Sequence, residues 1–144
     1  MSSRPTGLIE VALPVPLFQT FTYELAPDSP LPPAGSRVVV PFRNRKEIGI
    51  CLGVFEGTPP KKVKRVIEVP DAAPALSESL ISLCRWIAEY YVVPLGIVMR
   101  SALPAAMTGA AQPQPSRKTH RVVSLREDLP TLTHREKAFA RAPQ

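Results

Sequence analysis

The chain has 144 residues, a formal net charge of +6, 44% hydrophobic and 21% charged side chains, 18 prolines and two cysteines. Such a chain holds one domain, or one domain and part of another; it is too apolar to be disordered, and its prolines exclude long helices. The basic excess favours a polyanionic partner, because phosphate contacts release condensed counterions, and the lone Cys51 and Cys84 predict neither a zinc site nor a disulfide framework.

The first residues, MSSRPTGLIEVALPVP, contain no signal-type apolar stretch, since Glu10 and the prolines interrupt it. No apolar run is long enough to span a bilayer, so a cytoplasmic location without membrane contact is expected.

Residues 8–69 read as β-structure. Runs at 8–13, 18–25, 37–42, 47–55 and 63–69 are rich in Val, Ile, Leu, Phe and Tyr and are separated by Pro, Gly, Asp or Asn. Alternation places Phe21, Tyr23 and Leu25 on one face and Thr22 and Glu24 on the other. Short strands with such close turns predict a small five- or six-stranded barrel. Gly49 and Gly53, four apart, are expected to share a face of the fourth strand.

From residue 76 the apolar period becomes helical: Leu80, Ile81, Leu83, Cys84, Ile87, Ala88 and Tyr91 fall at 3.6-residue spacing. Ser77 is a natural N-cap, Glu78 suits the positive end, and Leu76 can pack on Ile81. Pro94 opens a second short helix, 94–102, and Pro104 ends it. The predicted fold is therefore α+β: a barrel at 8–69 and a helical hairpin at 76–103, within one unit of about 6–105.

Residues 106–118 read as a linker of small, polar and proline residues. Beyond it, THRVVSLR suggests a strand, and Thr133-His134-Arg135-Glu136 matches a helix capping box close to the last residue. A well-signalled helix with so short a body predicts that 119–144 is the incomplete start of a further domain.

The chemistry-bearing motifs of enzymes are missing. The sequence has no phosphate-loop glycine pattern, no G-x-S-x-G and no H-E-x-x-H, and its two histidines, His120 and His134, lie beyond the linker. The segment is expected not to be an enzyme. Two basic clusters stand out instead: Arg43-Asn44-Arg45-Lys46 in the hairpin connection, and Lys61-Lys62-Val63-Lys64-Arg65 leading into the fifth strand. At one end of a small barrel they can share a groove for phosphate, or they can blunt exposed strand edges. Phe18, Phe21, Tyr23 and Phe42 can fill the core or stack on an unpaired base; Trp86, Tyr90 and Tyr91 read as packing residues.

Three stretches in colinear order carry a resemblance: VALPVPLFQTFTY at 11–23, GSRVVVPFRNRKEIGICLG at 35–53, and KRVIEVPDAAPALSESLISLCRWIAEYYVVPLGIVMRSALP at 64–104. Together they resemble the N-terminal DNA-binding region of the primosomal protein N′ (PriA) family of replication-restart helicases, and the remainder resembles the entry into that family's winged-helix domain. The resemblance implies capture of the 3′ end of a nascent leading strand at a stalled or branched fork in the bacterial nucleoid. It implies forked or D-loop DNA as partner, with single-stranded DNA-binding protein and other primosome proteins as further partners. It also implies no cofactor in this segment, since ATP, magnesium and zinc belong to the family's 3′–5′ helicase region. By position, Phe21, Thr22, Arg43 and Lys64 would form the terminus pocket, and Arg45, Lys46, Lys61 and Lys62 would contact the DNA backbone. Family members usually carry an acid where Thr22 stands and glycine where Arg43 stands, so both positions depart from the pattern. A protein-binding adaptor barrel and an RNA-binding barrel of ribosomal type remain the alternatives.

Overall fold

A computed structural model describes residues 7–58, 60–110, Glu136, Lys137 and Ala140. The chain divides into two compact units, 1–114 and 115–144. The strand and winged-helix start expected after residue 118 lie outside the described residues; of the second unit, the Ala140 N–H bonds to the Glu136 carbonyl.

The first unit begins with β1 (Leu8–Ala12), β2 (Phe21–Glu24), β3 (Arg37–Phe42), β4 (Arg45–Val54) and β5 (Lys64–Arg65). They form one five-stranded sheet in the order β3-β4-β1-β2-β5, antiparallel except for the β2–β5 pair. The sheet curls until its edges meet: Val39 donates to the Glu68 carbonyl and accepts from Ile67, both at 2.8 Å. The expected small barrel followed by helices is what forms.

Two strands are shorter than their sequence predicts. The run at 18–25 contributes only Phe21–Glu24, because tight i to i−2 bonds from Val15 and Leu17 coil the chain around Pro14 and Pro16 and leave Phe18 outside, 73% exposed. The run at 63–69 contributes only Lys64–Arg65, since Val66 bonds back to Glu24 while Ile67 and Glu68 turn to Val39. That short segment changes partners to close the ring.

The inner face of the barrel is the first core: Ile9, Val11, Leu13, Val15, Tyr23, Leu25, Val38, Val40 and Cys51. Alternation along β1 and β3 delivers these side chains inward. A bulge in β4 breaks that alternation. Val11 pairs with Cys51 but Glu10 pairs with Gly53, so Leu52 is the extra residue, and Gly53 takes φ +132°. Gly49 and Gly53 consequently face opposite sides, contrary to the expectation from their spacing.

Two helices cover part of the outer face, α1 (Glu78–Tyr90) and α2 (Leu95–Ala102). Ser77 caps α1, accepting from the Leu80 N–H, as its position predicts. The helix ends in a Schellman arrangement: the Val93 N–H reaches the Ala88 carbonyl and the Val92 N–H that of Glu89, with Val92 at φ +52° where glycine is usual. Ala12, Ile50, Leu76, Ile81, Cys84, Met99 and Leu103 form a second core between sheet and helices. The seam is tight at Gly96, where any Cβ would lie 1.8 Å from the Leu13 carbonyl oxygen. β3 is buried on both faces, which explains its uninterrupted Val38-Val39-Val40 run.

Arg37 opens β3 with its side chain wholly buried. Its guanidinium makes a two-pronged pair with Asp71, at 2.5 and 2.6 Å, and donates to the carbonyls of Met107 and Gly109 at 2.8 and 2.6 Å. It ties the start of β3 to the segment after β5, to the last residue of the 3-10 turn Ala105–Met107 and to Gly109 beyond it. Cys51 and Cys84 are free and buried, one in each core, and burial pushes both thiols up, leaving them poor nucleophiles. Among the described residues, no helix is long and apolar enough to cross a membrane.

Candidate nucleic-acid interface

β3 and β4 are joined by a two-residue turn, since Phe42 pairs directly with Arg45. Only Arg43 and Asn44 are therefore in the connection; Arg45 and Lys46, expected there, are the first residues of β4. Arg43 adopts φ +52°, a left-handed conformation costly for any side-chain-bearing residue and usual for glycine at the first position of a type II′ turn. Its guanidinium lies 5.6 Å from the centre of the Phe42 ring, within cation–π range.

On the opposite side, β2 begins two residues before its ladder with β5, which starts at Tyr23 and Lys64. Phe21 and Thr22 thus stand at an unpaired edge, facing the chain that climbs from Pro60 into β5. The β3–β4 turn closes the top. Buried Tyr23 fastens it there by donating from its hydroxyl to the Pro41 carbonyl at 3.3 Å, and burial pushes that phenol up. Phe21 and Phe42 meet edge to face, with ring centres 5.2 Å apart, and both are half-buried. Phe21 is a wall of the opening and is not sealed in the core.

These three elements bound an open notch of about 500 Å³ lined by Gln19, Thr20, Phe21, Thr22, Tyr23, Pro41, Phe42, Arg43, Pro60, Lys62 and Lys64. Of the residues singled out in the sequence, Phe21, Thr22, Arg43, Lys62 and Lys64 line it, whereas Arg45, Lys46 and Lys61 do not. The charges also divide. Arg45 is paired with Glu47 at 2.6 Å and Arg65 with Glu24 at 3.2 Å. Among the described residues the lining cations Arg43, Lys62 and Lys64 make no ion pair, and no carboxylate lines the notch. The Thr20 hydroxyl, also in the lining, donates to one oxygen of Glu10 at 2.5 Å. Three exposed, unneutralised cations beside a pair of aromatic edges can grip phosphate and stack a base.

A second surface exposes rings on α1. Trp86, Tyr90 and Tyr91, expected to pack, are 56, 66 and 64% exposed. Trp86 and Tyr90, one helical turn apart, stack with ring centres 5.1 Å apart, and Tyr91 meets Tyr90 edge to face at 4.9 Å. The helical period that predicts the buried stripe of Ile81 and Cys84 also places Trp86 off it, which is the signal that identifies an outward ring.

Comparison with known proteins identifies the family. The family model described as the 3′ DNA-binding domain (3′BD) of PriA matches residues 10–104. The replication restart protein PriA of Haemophilus influenzae is 33% identical over 102 residues, covering 69% of this chain and 14% of that protein. PriA of Buchnera aphidicola (subspecies Schizaphis graminum) is 31% identical over 99 residues, 67% of this chain and 14% of the relative. PriA of Rickettsia conorii is 32% identical over 98 residues, 67% and 15% respectively. The chain thus matches about one seventh of the length of these curated relatives. With all but the first two residues of the barrel, and the whole helical hairpin, inside the matched residues, the chain belongs to the PriA 3′ DNA-binding domain family, a DNA-binding family of replication restart.

Proposed function

We propose that the notch between β2, the β3–β4 turn and the segment leading into β5 receives the 3′ end of a DNA strand at a stalled or branched replication fork. In this reading Phe21 walls the terminal base, Thr22 meets the terminal sugar through its hydroxyl, and Lys64, Lys62 and Arg43 hold phosphate. Arg45, Lys46 and Lys61, close in sequence to lining residues, extend the contact along the backbone in the same reading. The contacts need neither metal nor nucleotide, and unwinding by an ATP-driven motor belongs to other parts of PriA-like proteins. One observation carries the reading: the notch gathers three cations, Arg43, Lys62 and Lys64, that make no ion pair among the described residues, beside the Phe21 and Phe42 rings.

The test is a titration of labelled forks that differ only in whether a 3′ end lies at the junction. The fork bearing the end binds more tightly, and Lys64→Ala removes most of that advantage while lowering the salt-dependence slope by about one. Equal affinity for the two forks, or an unaltered Lys64→Ala variant, overturns it.

A second reading concerns a separate surface. The stacked, solvent-facing Trp86 and Tyr90 suit a protein partner, because exposed aromatic clusters are the usual anchors of such contacts. In the wider reading that partner is single-stranded DNA-binding protein or another primosome protein. Pull-down of purified candidates with wild type and Trp86→Ala decides it; retention of every partner by the variant rules the surface out.

A further inference from the structure

We infer that Phe18 is a stacking platform for a base next inward from the terminal nucleotide, so that the interface continues along the strand beyond the notch. The inference rests on the end-binding reading above and adds a subsite to it.

Of the aromatic residues in the strand-rich part of the sequence that could fill the core or stack on a base, Phe18 is the one the barrel leaves unused. Tyr23 lies in the core, and Phe21 and Phe42 pack against it. Phe18 is 73% exposed, belongs to neither core and meets no other ring among the described residues. The other exposed rings described, Trp86, Tyr90 and Tyr91, are on α1 or at its C-terminal cap. Single apolar side chains on a surface are ordinary. What sets this one apart is its place: the run from Gln19 to Tyr23 lines the notch without a break, and Phe18 is the residue before it.

The chain on either side of Phe18 is held. Leu13 and Val15 are buried in the barrel core, and tight bonds from the Val15 and Leu17 N–H groups to the Leu13 and Val15 carbonyls, at 2.8 and 2.7 Å, wind the backbone up to it. Phe21 anchors the far side. Residues 16–19 are thus a short exposed span between two anchors, and little backbone freedom is lost when a ligand meets it.

Reach and chemistry agree. Phe18 and Phe21 are separated by three steps of chain, at most about 11 Å, and stacked nucleotides advance about 3.4 Å each along a strand. A strand whose terminal base rests on Phe21 therefore has its next bases within the span that Phe18 commands. Arg43, Lys62 and Lys64 take phosphates, which leaves the faces of the unpaired bases to be covered. A phenyl ring covers any base, because every base has a π-face, so such a platform adds affinity without adding sequence preference.

Fluorescence anisotropy with the 144-residue chain tests this on single-stranded DNAs of one sequence. Three are linear with a 3′-hydroxyl: one intact, one abasic at the second and third positions from the 3′ end, and one abasic at the eighth and ninth. The fourth is circular. Phe18→Ala weakens binding of the intact strand about tenfold, within the range for removing one stacking ring, and leaves the salt slope unchanged because no phosphate contact is lost. Phe18→Trp binds as wild type. The strand abasic near its end binds wild type about tenfold more weakly and loses nothing further with Phe18→Ala, whereas the strand abasic farther in behaves as the intact one. Unaltered affinity of Phe18→Ala for the intact strand overturns the platform, and so does an equal loss on all three linear strands. A circular strand that binds wild type as tightly as the intact linear one overturns the end-binding reading, and the subsite with it; a preference for the linear strand without the coupling removes Phe18 alone.

Discussion

Arg37 and Arg43 stand at the two ends of β3, six positions apart in sequence, and share nothing but their side chain. Arg37 is wholly buried, with its donors spent on Asp71 and on the carbonyls of Met107 and Gly109. Arg43 is exposed, sits on a strained backbone and makes no ion pair among the described residues. One arginine holds the barrel to its flanking segments; the other belongs to an opening. Position along a strand, and not residue type, separates a structural cation from one left available to a ligand.

Substitutions break or sharpen that contrast. Arg37→Ala is expected to have the largest effect: it leaves the carboxylate of Asp71 and two carbonyls without their buried partner, a loss of about 3–5 kcal/mol. Urea denaturation reads it directly, and a loss below about 1 kcal/mol would mean that the guanidinium is dispensable. Arg43→Gly should move two quantities in opposite directions. Relief of the left-handed strain adds about 1 kcal/mol of stability, while fork-DNA affinity falls because a lining cation is gone. A variant that is less stable, or that binds as wild type, contradicts the role assigned to the turn. Trp86→Ala is the smallest change: exposed and remote from both ends of β3 in the sequence, it should alter stability by no more than about 0.5 kcal/mol and leave DNA affinity untouched.

The sequence and the structure part company where long-range pairing decides. Val38 to Val40, the Leu80–Cys84–Ile87 period and the Ser77 cap are legible because each is a local pattern, and each forms as read. The bulge at Leu52 and Gly53 is not legible, since it exists only relative to β1, and it reverses the facing inferred from glycine spacing. Arg37 could be read as one more basic residue until Asp71, distant in sequence, is seen to enclose it. The notch is partly legible for the same reason. Both basic clusters are visible in the sequence, and so is Glu47, which pairs with Arg45 two residues along β4; but Glu24 meets Arg65 only once β2 and β5 are in register. Trp86 and Tyr90 are less legible, because rings on an amphipathic helix usually pack, and both are exposed here.

The closure of the ring has a consequence for how a ligand is held. The last side of the barrel is a two-residue strand followed by a crossing at Val39, the slenderest join in the sheet. Joins of that kind open locally at lower free energy than the core around them, so amide protons of Val66 and Ile67 should trade with solvent ahead of those of Val38 or Val11. The same length of chain supplies Lys62 and Lys64. A polyanion that clasps those two lysines therefore favours the latched ring over the sprung one, slowing exchange at Ile67 in proportion to its occupancy. Grip and closure become one equilibrium.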